Sequence, residues 1–154
     1  MKSKTIITKN PEETIAFGKK LAKNLSSGNI ICLIGDLGAG KTTFVKGLAQ
    51  GLKVNPNKVS SPTFVVMNIY EGKLPIYHFD LYRMEGNEDM AMIGYEEFLY
   101  GDGIAVIEWA EHLGNLMPKD YIRIELTHHK PQGRKIKLSV KGKRYEHFID
   151  RHLD

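Results

Sequence analysis

Apolar and polar positions along the chain alternate between two periods. Thr5-Ile6-Ile7-Thr8 predicts a short strand. Asn10-Pro11-Glu12-Glu13 then predicts a helix start: Asn10 suits a cap, Pro11 the first helical position, and Glu13 follows the cap by three residues. Ile15, Gly18, Leu21, Ala22 and Leu25 form one stripe at helical spacing, with Gly28 closing the element. Ile30-Ile31-Cys32-Leu33-Ile34 is continuous, β-branched-rich and bounded by turns, as expected of a strand buried on both faces. A glycine-rich turn follows, and 43–52 is expected to be helical, with Phe44, Val45, Leu48 and Leu52 on one side.

The second half of the chain is richer in strands. Segments 64–70 and 74–79 predict two strands joined by a tight turn at Glu71-Gly72-Lys73. Residues 86–100 are mixed and partly helical in pattern, and Ile104-Ala105-Val106-Ile107 is a second short buried strand. Ile122, Ile124 and Leu126 alternate with polar residues, as do Ile136, Leu138 and Val140. With Pro131-Gln132-Gly133 turning between them, they make a half-solvated hairpin. The last dozen residues suit a helix. No repeat, low-complexity stretch or linker divides the chain, so one domain over 1–154 is expected. Parallel-type strands alternating with helices give a layered α/β domain, and the hairpins make its sheet mixed.

Composition changes this picture little: 154 residues with 42% apolar and 26% charged are ordinary for a globular domain. The single cysteine, Cys32, excludes an internal disulfide and suits a small core hydrophobe. The longest uninterrupted apolar run, Ile30 to Ile34, is far below the ~20 residues of a membrane span. Met1-Lys2-Ser3-Lys4-Thr5 leads into no apolar signal region, so a cytoplasmic location without membrane contact is expected. Charge is more informative. Lys130, Arg134, Lys135, Lys137, Lys141, Lys143 and Arg144 give segment 130–144 a charge of +7 in a chain of net +4, leaving −3 for the rest. Two readings stand: a solvated strand face, or a surface for a polyanion such as nucleic acid or an acidic partner.

Gly35-Asp36-Leu37-Gly38-Ala39-Gly40-Lys41-Thr42 fits G-x-x-x-x-G-K-[ST], between a buried strand and a helix. With this chain's composition the pattern arises by accident in about one chain in 80, and the flanking elements lower that further. Phosphate oxygens wrapped by successive backbone N–H groups require unhindered, often positive-φ residues, hence Gly35, Gly38 and Gly40. The dipole of the following helix faces the same anion. Lys41 supplies a compact charge to the terminal phosphates, and the Thr42 hydroxyl is a Mg²⁺ ligand. Asn57-Lys58-Val59-Ser60 lacks the acid that would read guanine, which makes ATP the expected nucleotide. The expected architecture is therefore a P-loop NTPase-like three-layer α/β fold with a mixed, mostly parallel sheet and antiparallel hairpins.

Such a loop needs a carboxylate at the end of a neighbouring strand. Glu108 ends 104–107 and Asp80 ends 76–79; one would join Thr42 at the metal and the other orient water, and the residues leave that division open. Ser60-Ser61-Pro62-Thr63 is either a γ-phosphate-sensing switch or the polar start of a strand. His78 points to the same face as Asp80 and reads first as a satisfied structural histidine. Trp109, the one tryptophan, is either core or an aromatic platform beside the nucleotide.

Taken together, Gly35 to Thr43, Ser61-Pro62-Thr63-Phe64, Tyr77-His78-Phe79-Asp80-Leu81-Tyr82-Arg83 and Val106-Ile107-Glu108-Trp109-Ala110-Glu111 resemble the bacterial TsaE family, in order and spacing over nearly the whole chain. The resemblance implies a P-loop ATPase, weak alone, that works with the TsaD–TsaB heterodimer. That complex transfers a threonylcarbamoyl group to the adenosine beside the anticodon of tRNA, and the ATPase resets or regulates it; tRNA is met through the complex. By position it implies Thr42 and Glu108 as Mg²⁺ ligands, Lys41 as phosphate clamp and Asp80 as the carboxylate essential for hydrolysis. It also implies nucleotide contacts along Gly35, Gly38, Ala39, Gly40, Lys41, Thr42 and Thr43, a switch-like Thr63, and Trp109 beside the nucleotide. Pro11, Thr14 and Arg134 are implied near it. Two other functions remain open: a small-molecule kinase with 134–144 as a closing lid, and a nucleotide-binding module without turnover.

Overall fold

The computed structural model describes residues 3–36, 38–59, 67–82 and 94–152. In chain order these form β1 (Ser3–Thr8), α1 (Pro11–Ala22), β2 (Ile30–Ile34), α2 (Lys41–Gly51), β3 (Met67–Tyr70), β4 (Ile76–Asp80), α3 (Tyr95–Leu99), β5 (Ile104–Glu108), β6 (Tyr121–His129), β7 (Gly133–Lys141) and α4 (Phe148–His152). Short 3-10 turns cover Pro56–Lys58, Ala110–Leu116 and Lys143–Tyr145. Ser60-Ser61-Pro62-Thr63, the start of the strand expected from 64, Arg83 and most of the helical stretch expected over 86–100 lie outside the described residues.

The strands pair in the order β1-β7-β6-β2-β5-β4-β3. The central four, β6-β2-β5-β4, are parallel, and antiparallel β3 on one side and β7 with β1 on the other extend them. Alternation of side chains sends Ile31, Leu33, Val106, Ile122 and Ile124 to the face covered by α1 and α2, where all five are fully buried. Ile30, Cys32, Ala105 and Ile107 point the other way, against Tyr95 and Leu99 of α3 and Leu113. Helices therefore cover both faces of the sheet, giving the expected three layers. Each isoleucine, leucine or valine among them, fully buried, contributes roughly 1.5–3 kcal/mol. Among the described residues no helix is long and apolar enough to cross a membrane.

Two helical limits differ from the sequence pattern. α1 stops at Ala22 rather than near Gly28, because 3-10 bonds close its end (Asn24 N–H to Leu21 O, Leu25 N–H to Ala22 O) and the Asn29 side chain captures the Ser26 N–H. α2 begins at Lys41, two residues early. α1 and α2 pack through glycine: a Cβ on Gly47 would stand 2.3 Å from the Ile15 carbonyl oxygen. Gly18 meets Phe44 and Gly47 while Gly51 meets Lys19 and Ala22, so the helices run in the same direction and begin at one edge of the sheet. That edge is the carboxyl end of the parallel strands, where open α/β sheets bind ligands.

Candidate functional site

β2 delivers the chain at that edge into the turn 35–40. Gly38 and Gly40 take φ of 80° and 99°, a region L side chains rarely adopt. Gly35 is there for a different reason: a Cβ would lie 2.6 Å from the Leu126 carbonyl oxygen of β6. Gly40 caps α2 and makes no side-chain cap bond, which suits the start of this eleven-residue helix to an anion. Arg134, at the start of β7, grips the turn. Its Nε donates to the Ala39 carbonyl (2.8 Å) and its Nη2 to that of Gly38 (3.1 Å), fixing two peptide planes. Ala39 itself is buried.

A cavity of about 270 Å³ opens beside the turn. Gly38, Gly40, Lys41, Thr42 and Thr43 line it together with Arg134, Asp80, Glu108 and Trp109. Lys41 is only 6% exposed. Its Nζ donates to the Gly35 carbonyl at 2.5 Å and lies 3.9 Å from the centre of the Trp109 ring. Burial pushes the ammonium below the usual lysine value, opposed by the carboxylates of Glu108 and Asp80. An ammonium over a partly exposed indole is worth about 1 kcal/mol.

Asp80 and Glu108 are register partners, the last residues of adjacent parallel strands, on the face that α2 covers. Glu108 is buried, and its Oε2 contacts Nε2 of the fully buried His78. Asp80 is partly buried. Burial pushes its carboxyl above the usual range and the neighbouring Glu108 adds to this; the Tyr82 N–H on Oδ1 (3.0 Å), His78 and Lys41 oppose. An acid held up in this way suits a group that takes a proton from water.

Trp109 packs against the buried cluster on the α3 side of the sheet. It is partly exposed, lines the cavity and sits in the left-handed region (φ 59°, ψ 42°), at a cost on the order of 1–3 kcal/mol. The Tyr82 ring, 5.0 Å away, and that of His112, 5.8 Å away, brace it. His112 is anchored in turn by its Nδ1 bond to the Leu81 carbonyl (2.7 Å). Pro11 is exposed at the start of α1. Thr14 is buried with its Oγ1 2.7 Å from that of Thr8, and it does not line the cavity. Thr63 lies outside the described residues. Sequence reasoning missed His112, whose side chain supports a cavity residue from a stretch without a recognisable motif. The lid reading of 134–144 is corrected: 133–141 is β7, paired along its length with β6 and over 134–139 with β1, so it cannot swing.

A strand–turn–helix phosphate loop with its lysine, facing two strand-end carboxylates on a three-layer α/β sheet, defines a P-loop nucleotide-binding protein. A family model described as "Threonylcarbamoyl adenosine biosynthesis protein TsaE" matches residues 8–136. The chain belongs to the TsaE family, and so to the proteins of tRNA threonylcarbamoyladenosine biosynthesis. It is 41% identical over 140 residues to the TsaE of Bacillus subtilis (strain 168), covering 90% of this chain and 87% of that protein. The TsaE of Aquifex aeolicus (strain VF5) is 46% identical over 110 residues, 70% of this chain and 77% of that one. The crystal structure of Bacillus subtilis YdiB superposes with a TM-score of 0.80 at 35% identity, covering 99% of this chain and 97% of that chain.

Proposed function

We propose that this chain is a Mg²⁺-dependent P-loop ATPase, weak alone, that acts with the TsaD–TsaB heterodimer in threonylcarbamoyl transfer to the adenosine beside the anticodon of tRNA. The observation that carries this reading is the single cavity shared by the phosphate loop, Lys41, Asp80 and Glu108. The donor set fits the ligands. Left-handed glycines and a helix start without a side-chain cap suit phosphate oxygens, and a hydroxyl with carboxylates suits a hard, octahedral cation. The indole of Trp109 and the loop held by Arg134 complete the pocket, and the family resemblance alone adds Pro11, Thr14 and Thr63 as nucleotide contacts.

In this reading Lys41 holds the terminal phosphates, while Thr42 and Glu108 hold Mg²⁺. The ion, when bound, neutralises charge that develops on the phosphate oxygens. Asp80 orients a water and accepts its proton as the water oxygen bonds to the γ-phosphorus and the bond to the β–γ bridging oxygen breaks, leaving ADP and phosphate. Hydrolysis resets or regulates the transferase complex, and the protein works in the cytoplasm, meeting tRNA through that complex.

Single-turnover cleavage of ATP tests the assignment. Asp80→Ala is expected to bind ADP as wild type does while losing cleavage by 100-fold or more, in the ~10²–10⁴ range of a positioned general base. Equal cleavage in both proteins removes Asp80 from this role. ADP formation that depends on added nucleosides or sugars would instead make the chain a kinase.

A further inference from the structure

We propose that His78, itself held by Tyr70, is a positioning residue that fixes the orientation of Glu108 for Mg²⁺. The proposal rests on the metal reading above and extends it to residues outside the cavity wall.

His78 sits in mid-β4, fully buried, on the same face as Asp80. Its two ring nitrogens are both engaged: Nε2 contacts Oε2 of Glu108, and Nδ1 lies 3.0 Å from the Tyr70 hydroxyl of β3. The Asn68 side-chain amide donates to that hydroxyl from 3.4 Å. The chain Asn68–Tyr70–His78–Glu108 thus crosses three neighbouring strands and ends on a carboxylate at the cavity. Its direction follows from the chemistry. An ionised carboxylate only accepts, so Nε2 must carry a proton toward Glu108. In a neutral imidazole Nδ1 is then an acceptor, and the Tyr70 hydroxyl donates to it.

A structural histidine needs its nitrogens satisfied, and any buried acceptor and donor would serve. Here the acceptor is the strand-end acid of the nucleotide site, buried to 3% exposure. Committing Oε2 to His78 leaves Oε1 as the oxygen for the ion. It also prevents rotation of the carboxyl about its terminal torsion, a soft two-fold rotor when unheld. Partners of this kind behind a ligating carboxylate orient it, and their loss typically costs about 10–100-fold in metal affinity.

The test is calorimetric titration with ADP, in Mg²⁺ and in EDTA, for wild type, His78→Leu, His78→Gln and Tyr70→Phe, each checked for cooperative thermal unfolding. His78→Leu should lose about tenfold of the Mg²⁺-dependent gain in ADP affinity and keep the affinity measured in EDTA. His78→Gln, whose amide N–H can reach Glu108, should recover part of the gain. Tyr70→Phe, which removes one hydroxyl on the edge strand, should lose several-fold of it and carries the test if the His78 variants do not fold. Imidazole ¹⁵N shifts give a second readout: the Nε2–H tautomer in both proteins, with Nδ1 at a hydrogen-bonded acceptor position in wild type and moved toward that of an unbonded acceptor in Tyr70→Phe. Equal losses with and without Mg²⁺, or a retained gain in all variants, would overturn the proposal. A wild type with no gain from Mg²⁺ would sink the metal reading itself, and this inference with it.

Discussion

Removing the Arg134 side chain asks whether the phosphate loop is built before the nucleotide arrives. Its guanidinium makes two bonds to the loop, to the carbonyls of Ala39 (2.8 Å) and Gly38 (3.1 Å). Bonds to charged groups contribute about 1.5–3 kcal/mol each when sheltered. Arg134 is partly exposed, and solvent screening lowers this to about 1 kcal/mol apiece. Arg134→Ala therefore frees the turn by about 2 kcal/mol, which nucleotide binding must restore, a loss of about 25-fold in affinity at 1.4 kcal/mol per tenfold. Arg134→Lys, a point charge without the planar fork, should recover no more than half of that energy. Calorimetry with ADP and ATP reads the effect. Positioning costs both nucleotides equally, whereas direct contact with the last phosphate costs ATP more. Affinity for ADP within twofold of wild type in a folded Arg134→Ala protein would refute the idea that this arginine holds the loop.

Two further outcomes follow from charge. Burial disfavours the ionised form of Asp80 in the folded state, so the folded protein bears a penalty above that raised value. Asp80→Asn, which keeps an oxygen for the Tyr82 N–H, should melt at higher temperature than wild type at pH 7.5. The difference should shrink as pH falls through the raised value and vanish below the ordinary one; a lower melting point at pH 7.5 contradicts this. Lys135, Lys137 and Lys141 are exposed and lie on the β7 face turned away from α1 and α2. Reversing all three to Glu should leave melting within about 0.5 kcal/mol of wild type. It should weaken association with the TsaD–TsaB–tRNA assembly and reduce the salt slope by up to about 3. Unchanged association leaves only a solvated face.

The local elements were legible because each carries its own signal. The asparagine cap bonding Glu13 N–H, the apolar run of β2 and the glycine-lysine turn each act within a few residues. The carboxylates were legible as strand ends but not as neighbours: β4 and β5 are separated by 23 residues, and only their parallel pairing sets Asp80 beside Glu108. Arg134 lies 95 residues from the Ala39 carbonyl it binds, and nothing near it in sequence marks that contact. Tyr70 and His78 could not be paired from the sequence: the expected turn at 71–73 sets Tyr70 opposite Leu74, whereas the observed register sets it opposite Ile76 and Asn68 opposite His78. Nor could the acid on which their chain of bonds ends be read from the pattern.

Sequence by itself determined the phosphate loop, the layered α/β plan and the pool of candidate acids, since those depend on local periodicity, backbone freedom and residue chemistry. Tertiary structure alone decided which strands became neighbours, that 134–141 is a locked strand rather than part of a lid, that Trp109 faces Lys41, and that His78 backs Glu108. These are outcomes of pairing between distant segments, where the burial of both sheet faces selects one register among several that local pattern would permit.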